Sequence, residues 1–143
     1  MSITRRDLSL MIPALAAASA SAQEKPAKKV LTAATYKYED LPVKQSGLNQ
    51  SRAVMDGMTH SNFPVELHMT KLAPGQMPHP AHHHVNEEIL MVKNGDLEVI
   101  QGGVTSRVGP GSVVYVQSNV EHGWKNVGSE PAEYFVIALG PKA

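Results

Sequence analysis

The sequence predicts an all-β fold, a sandwich or barrel closed within one domain. Three observations carry that expectation. Short segments rich in β-branched and apolar residues recur along the chain: VELHMTKL (65–72), EEILMVK (87–93), DLEVI (96–100), SVVYV (112–116) and EYFVIAL (133–139). Such segments read as strands. Gly and Pro fall between them, at Phe63-Pro64, Pro74-Gly75, Asn94-Gly95, Gly102-Gly103 and Gly109-Pro110-Gly111, and mark turns. Beyond the N-terminal region no helical period persists over ten residues, so no helix is expected in the body of the fold.

Residues 1–22 are expected to be a signal peptide. Arg5-Arg6 precede an apolar segment from Leu8 to Ala18, and the small Ala20-Ser21-Ala22 stands before polar Gln23-Glu24, the order of an export signal. The apolar stretch is well short of the ~20 residues that span a bilayer, and Pro13 interrupts it. Thr4-Arg5-Arg6-Asp7-Leu8 resembles a twin-arginine signal, so a periplasmic or secreted location with no membrane attachment after cleavage is expected. Residues 23–35 are charged and small, with a proline, and suit a flexible mature N-terminus. The barrel then occupies 36–143, opening on a short lead-in strand near Tyr36 and Tyr38.

Within the barrel, Asn94-Gly95 is the clearest turn signal. Both residues tolerate the positive φ of a type I′ turn, so a hairpin is expected between the strands that flank them. Segment 105–108, with Arg107, reads as a further strand carrying an exposed cation. Trp124 and Tyr115 read as core or subunit contacts.

Composition excludes several functions. The 143 residues are 42% hydrophobic and 18% charged, enough for one core. Thirteen basic residues balance thirteen acidic ones and no basic run exceeds two residues in the mature part, which argues against nucleic-acid binding. With no cysteine, disulfides, thiolate ligands and cysteine nucleophiles are absent. Chemistry must come from His, carboxylates, hydroxyls or a metal.

The segment HPAHHHVNEEIL, residues 79–90, concentrates four histidines and two glutamates. If an extended segment runs from about 82 to 93, alternation sends His82, His84 and Glu88 to one side with Leu90 and Val92, and His83 and Glu87 to the other. Two imidazoles and a carboxylate are an incomplete shell for a divalent ion. His122, after a later strand and turn, is available to complete it. His68 shares a face with Glu66 and Thr70, and that face lines a cavity or meets solvent. His79, in the loop ahead of the cluster, is a candidate neighbour of the ligands or of a substrate.

These residues resemble the cupins. Gly75, six residues, His82-His83-His84, three residues, Glu88, six residues and Gly95 follow the first cupin motif with one residue more than usual after the first glycine. Gly111, five residues, Gln117-Ser118-Asn119, two residues, His122, three residues and Asn126 keep every spacing of the second. Gln117 stands where proline is usual and Asn119 where glycine is usual; Asn is the best substitute at positive φ. The resemblance covers roughly residues 50–140. It implies a single jelly-roll barrel, the double-stranded β-helix, holding one divalent transition metal ion through His82, His84, Glu88 and His122. The donors suit Mn, Fe, Co, Ni, Cu or Zn alike.

By the same resemblance the protein is expected to be a metal-dependent enzyme acting on a small organic molecule. An oxygen-dependent oxidoreductase is favoured over a lyase or isomerase, with Glu88 as both ligand and proton acceptor. The alternative is a non-catalytic periplasmic protein that binds a metal or small ligand. The resemblance also implies a homodimer.

Overall fold

The computed structural model describes residues 29–141. The expected signal peptide and the first part of the flexible segment lie outside the described residues. Apart from one short 3-10 turn at Tyr38–Asp40, the regular structure is strand. In chain order these are β1 (Val43–Ser46), β2 (Asn49–Met58), β3 (Pro64–Leu72), β4 (Glu87–Asn94), β5 (Leu97–Gln101), β6 (Val104–Val108), β7 (Val113–Val116), β8 (His122–Asn126) and β9 (Ala132–Leu139). No helix among the described residues is long and apolar enough to cross a membrane.

The strands form two antiparallel sheets, one in the order β1-β2-β3-β9-β4-β7 and the other β6-β5-β8. This is the jelly-roll expected from the sequence. Alternation explains how they close on each other: along β9, Ala132, Tyr134, Val136 and Ala138 are buried while the residues between them are not. Leu90 and Val92 of β4 stand opposite Val136 and Tyr134, and residues directly opposite in a ladder share a face. From the smaller sheet, Leu97, Val99 and Trp124 join the same core. Complete burial of Leu90 and Leu97 contributes about 2 kcal/mol each.

Three local expectations give way to tertiary structure. The lead-in near Tyr36 and Tyr38 is not a strand; Tyr38 starts the 3-10 turn, with the Arg52 guanidinium 4.3 Å above its ring. Pairing instead comes from Lys29–Leu31, which hydrogen-bond to Met58. The Asn94-Gly95 turn does not make a hairpin, because β4 pairs with β7 and β9 while β5 pairs with β6 and β8. Gly95 has φ 83° and Asn94 is not in the positive region, so the pair is a corner that passes the chain between sheets. A Cβ at Gly95 would lie 2.6 Å from the Ala132 Cα, so close approach as well as conformation requires glycine there. Finally, β4 begins at Glu87 rather than near residue 82.

Strands β1 and β2 have no counterpart in the sequence reading. β2 is half-buried along nearly its whole length, so its residues show no clean alternation to read.

Candidate metal centre

His82 and His84 lie on the loop ahead of β4, outside any ladder, and the backbone places them by other means. His82 and His122 exchange both main-chain hydrogen bonds, at 3.0 and 2.8 Å. The Asn119 amide donates to the His84 carbonyl at 2.8 Å. Asn119 has φ 61°, the left-handed conformation anticipated from the glycine it replaces. Gly123, next to His122, lets the Ala81 backbone come close: a Cβ there would sit 3.1 Å from the Ala81 Cα.

The ligand nitrogens of His82, His84 and His122 lie within 4.8 Å of one another. Glu88, from β4, reaches in with Oε1 3.3 Å from His84 Nε2 and Oε2 3.5 Å from His122 Nε2. The four residues named from the sequence therefore meet at one place. His83 is exposed, and Glu87 faces outward to accept a 2.7 Å hydrogen bond from the Tyr115 hydroxyl.

The protonation pattern follows from the partners. His84 Nδ1 faces the Asn86 carbonyl at 2.8 Å and His122 Nδ1 faces the Val120 carbonyl at 2.8 Å. A carbonyl only accepts, so each Nδ1 carries the proton, and in the neutral ring each Nε2 keeps its lone pair. His122 Nε2 is buried without a hydrogen-bond partner, its 3.5 Å approach to Glu88 lacking hydrogen-bond geometry, and His82 Nδ1 is likewise unpartnered. Each such atom costs about 1–3 kcal/mol if left unsatisfied. Burial, and then the neighbouring imidazoles of His79, His122 and His84, hold His82 below the ordinary imidazole range. A neutral ring is the form that binds metal. Orphaned nitrogens, fixed tautomers and an all nitrogen and oxygen donor set together fit a divalent transition ion.

Around the cluster lie residues the sequence left undecided. His79 packs edge-on against His82, ring centroids 4.3 Å apart. Trp124 stacks beside His122 at 5.9 Å and meets Tyr134 edge-on at 5.9 Å. His68 stands opposite Val136, which stands opposite Leu90, so it shares the inner face; its Nδ1 is 3.5 Å from Glu66 Oε1. With Thr70, Trp124, Tyr134 and His79, these residues line an open cavity of about 370 Å³. Tyr134 was not singled out from the sequence; its shared parity with Val136 and Ala138 was the available signal. Burial pushes its phenol up to about 12, offset in part by Trp124 and Thr70 nearby, although neither contact reaches hydrogen-bond geometry.

The family model described as a cupin domain matches residues 68–138, the span that holds all four clustered residues. The chain carries a cupin domain. Solved structures agree in fold. An RmlC-like cupin from Shewanella frigidimarina is 15% identical, with a TM-score of 0.64 over 77% of this chain and 93% of that one. The polyketide cyclase RemF from Streptomyces resistomycificus is 16% identical, TM-score 0.63, over 78% and 82%. A predicted oxalate decarboxylase from Thermotoga maritima is 15% identical, TM-score 0.63, over 76% and 100%. No curated protein matches by sequence. At these identities the likeness concerns this cupin's fold, and its chemistry must be argued from its own residues.

Proposed function

We propose that this cupin is a metal-dependent enzyme acting on a small organic molecule, with His82, His84, Glu88 and His122 holding one divalent transition ion. The observation that carries the reading is the convergence of three imidazoles, two with Nδ1 tied to carbonyls, on a carboxylate beside an open cavity. A resident ion would supply Lewis-acid polarisation or, if redox-active, oxygen activation. Glu88 sits between the His84 and His122 nitrogens and can also take a proton from a bound molecule. Apolar Leu90 and Val92 below it keep that part of the site dry.

Oxygen-dependent oxidation is the reaction to test first, ahead of lyase or isomerase chemistry. The twin-arginine-like N-terminus supports export to the periplasm. Homodimerisation is supported by the apolar patch of Met91, Val113 and Tyr115 on the outer face of β4 and β7, where each is exposed.

The deciding experiment is elemental analysis of protein purified from its native compartment. Oxygen-uptake and product assays on enolic, catecholic and polyhydroxylic compounds then follow. Bound metal with turnover is the expected result. Bound metal without turnover of any kind would favour a non-catalytic metal- or ligand-binding protein, and no bound metal would remove the reading.

A further inference from the structure

We infer that the open cavity beside the histidine cluster binds an uncharged polyhydroxylated molecule, of the sugar or polyol class, between the Glu66–His68 pair and the Trp124–Tyr134 floor. The inference rests on the metal-dependent reading above, because the cavity adjoins that site: His79 and Trp124 line it and also touch His82 and His122. About 370 Å³ lies within the range of small-ligand sites.

The chemistry of the lining selects the class. Strand register lays Ser51 opposite Thr70 and Ala53 opposite His68, so hydroxyls and an imidazole stand side by side on the inner face, with the Glu66 carboxylate against the imidazole. No lysine or arginine is found among the described residues that line the cavity. The described lining offers no guanidinium or ammonium to reward a phosphate, whereas its hydroxyls, imidazoles and carboxylate give a neutral ligand rich in hydroxyls both donors and acceptors.

Two further observations point to an occupant. Trp124 and Tyr134 are 3% and 1% exposed, yet Trp124 Nε1 and Tyr134 Oη have no hydrogen-bond partner, and a ligand hydroxyl at the cavity floor would supply one. Both side chains are among those that line the cavity. Asn49, by contrast, is spoken for by the Ala73 amide and the Met77 carbonyl and is not assigned a ligand contact.

Trp124 is the single tryptophan of the chain, so its fluorescence reports on this cavity directly. Metal-loaded full-length protein, its metal content measured on the same sample, is titrated with neutral hexoses and hexitols and with a hexose 6-phosphate and a hexuronate as matched anions. A saturable change with at least one neutral compound, tighter than with its anionic counterpart, is expected. Glu66→Gln should raise the Kd about tenfold, the effect of losing one charged hydrogen bond, and Tyr134→Phe should raise it severalfold without unfolding the protein. Tighter binding of the anions, no response to any neutral compound, or neutral binding unchanged in both variants would overturn the inference while leaving a fully metallated centre intact. Protein that takes up no metal would instead overturn the reading on which it rests.

Discussion

His82 and His122, forty positions apart, are joined backbone to backbone by a reciprocal pair of hydrogen bonds outside any strand ladder. Two of the clustered imidazoles are therefore positioned by main chain, and the spacing between them is preset before any ligand arrives. The remaining two side chains are fixed from other directions, His84 through Asn86 and Asn119 and Glu88 from β4. Preorganisation of this kind favours tight binding, since little ordering remains to be done.

Metal should stabilise the fold. At free metal a hundredfold above Kd the linkage is about 2.7 kcal/mol, several degrees in Tm. Thermal scans with and without a chelator check this. His84→Ala or His122→Ala should abolish the shift, whereas His83→Ala, at an exposed position, should retain it.

The depressed basicity of His82 sets a pH dependence for the metal-free protein. The folded ring takes up its proton at lower pH than the unfolded one, so the unfolded state binds more protons in between. Stability from this group is intact above about pH 6.5 and falls as pH drops below that value, levelling off once the folded ring is protonated as well. Denaturant titrations from pH 8 to 5 test the direction; increasing stability on acidification over that window would contradict it.

Asn126 is completely buried. Its Nδ2 donates to the Leu72 and Glu130 carbonyls at 2.9 and 2.8 Å, and its Oδ1 accepts from the Gly128 amide at 2.9 Å. Asn126→Ala removes three hydrogen bonds and leaves their partners without them, a loss of about 3 kcal/mol. Urea unfolding measures it, and the metal content of the folded fraction should be unchanged.

Gly95→Ala should be among the harshest single-methyl changes. The positive φ and the 2.6 Å approach to Ala132 Cα together cost about 2–4 kcal/mol. A variant as stable as the parent by chemical denaturation would show that the corner can relax.

Tyr134→Phe should leave stability unchanged or raise it by about 1 kcal/mol, because the deleted hydroxyl is buried without a partner. A loss of more than that on urea unfolding would mean that the hydroxyl has a stabilising contact in the unliganded protein.

The strands of the core and the clustered residues were legible because each leaves a local trace. β4, β5, β7 and β9 advertise themselves by β-branched runs, and the His82, His84, Glu88 and His122 spacings survive intact. Whatever depended on the choice of sheet was not legible. Asn94-Gly95 satisfies the chemistry of a hairpin, yet β5 pairs with β8 instead of β4, since burial of Leu97 and Val99 against the opposite sheet outweighs a local turn preference. The alternation assumed from residue 82 also failed as a ladder, although His82 and His84 still converge with Glu88, held by the pairing to His122 and Asn119. The side on which Glu66, His68 and Thr70 lie could be narrowed from parity alone, but their register with β9 was needed to decide it.

Glu88 belongs to the six-stranded sheet and His122 to the three-stranded one. An ion gripped by both is thus a clasp between the two halves of the barrel. Its removal should loosen their breathing relative to each other, and faster amide hydrogen exchange would appear along β4 and β8 before β1, at the edge of the larger sheet, registers any change.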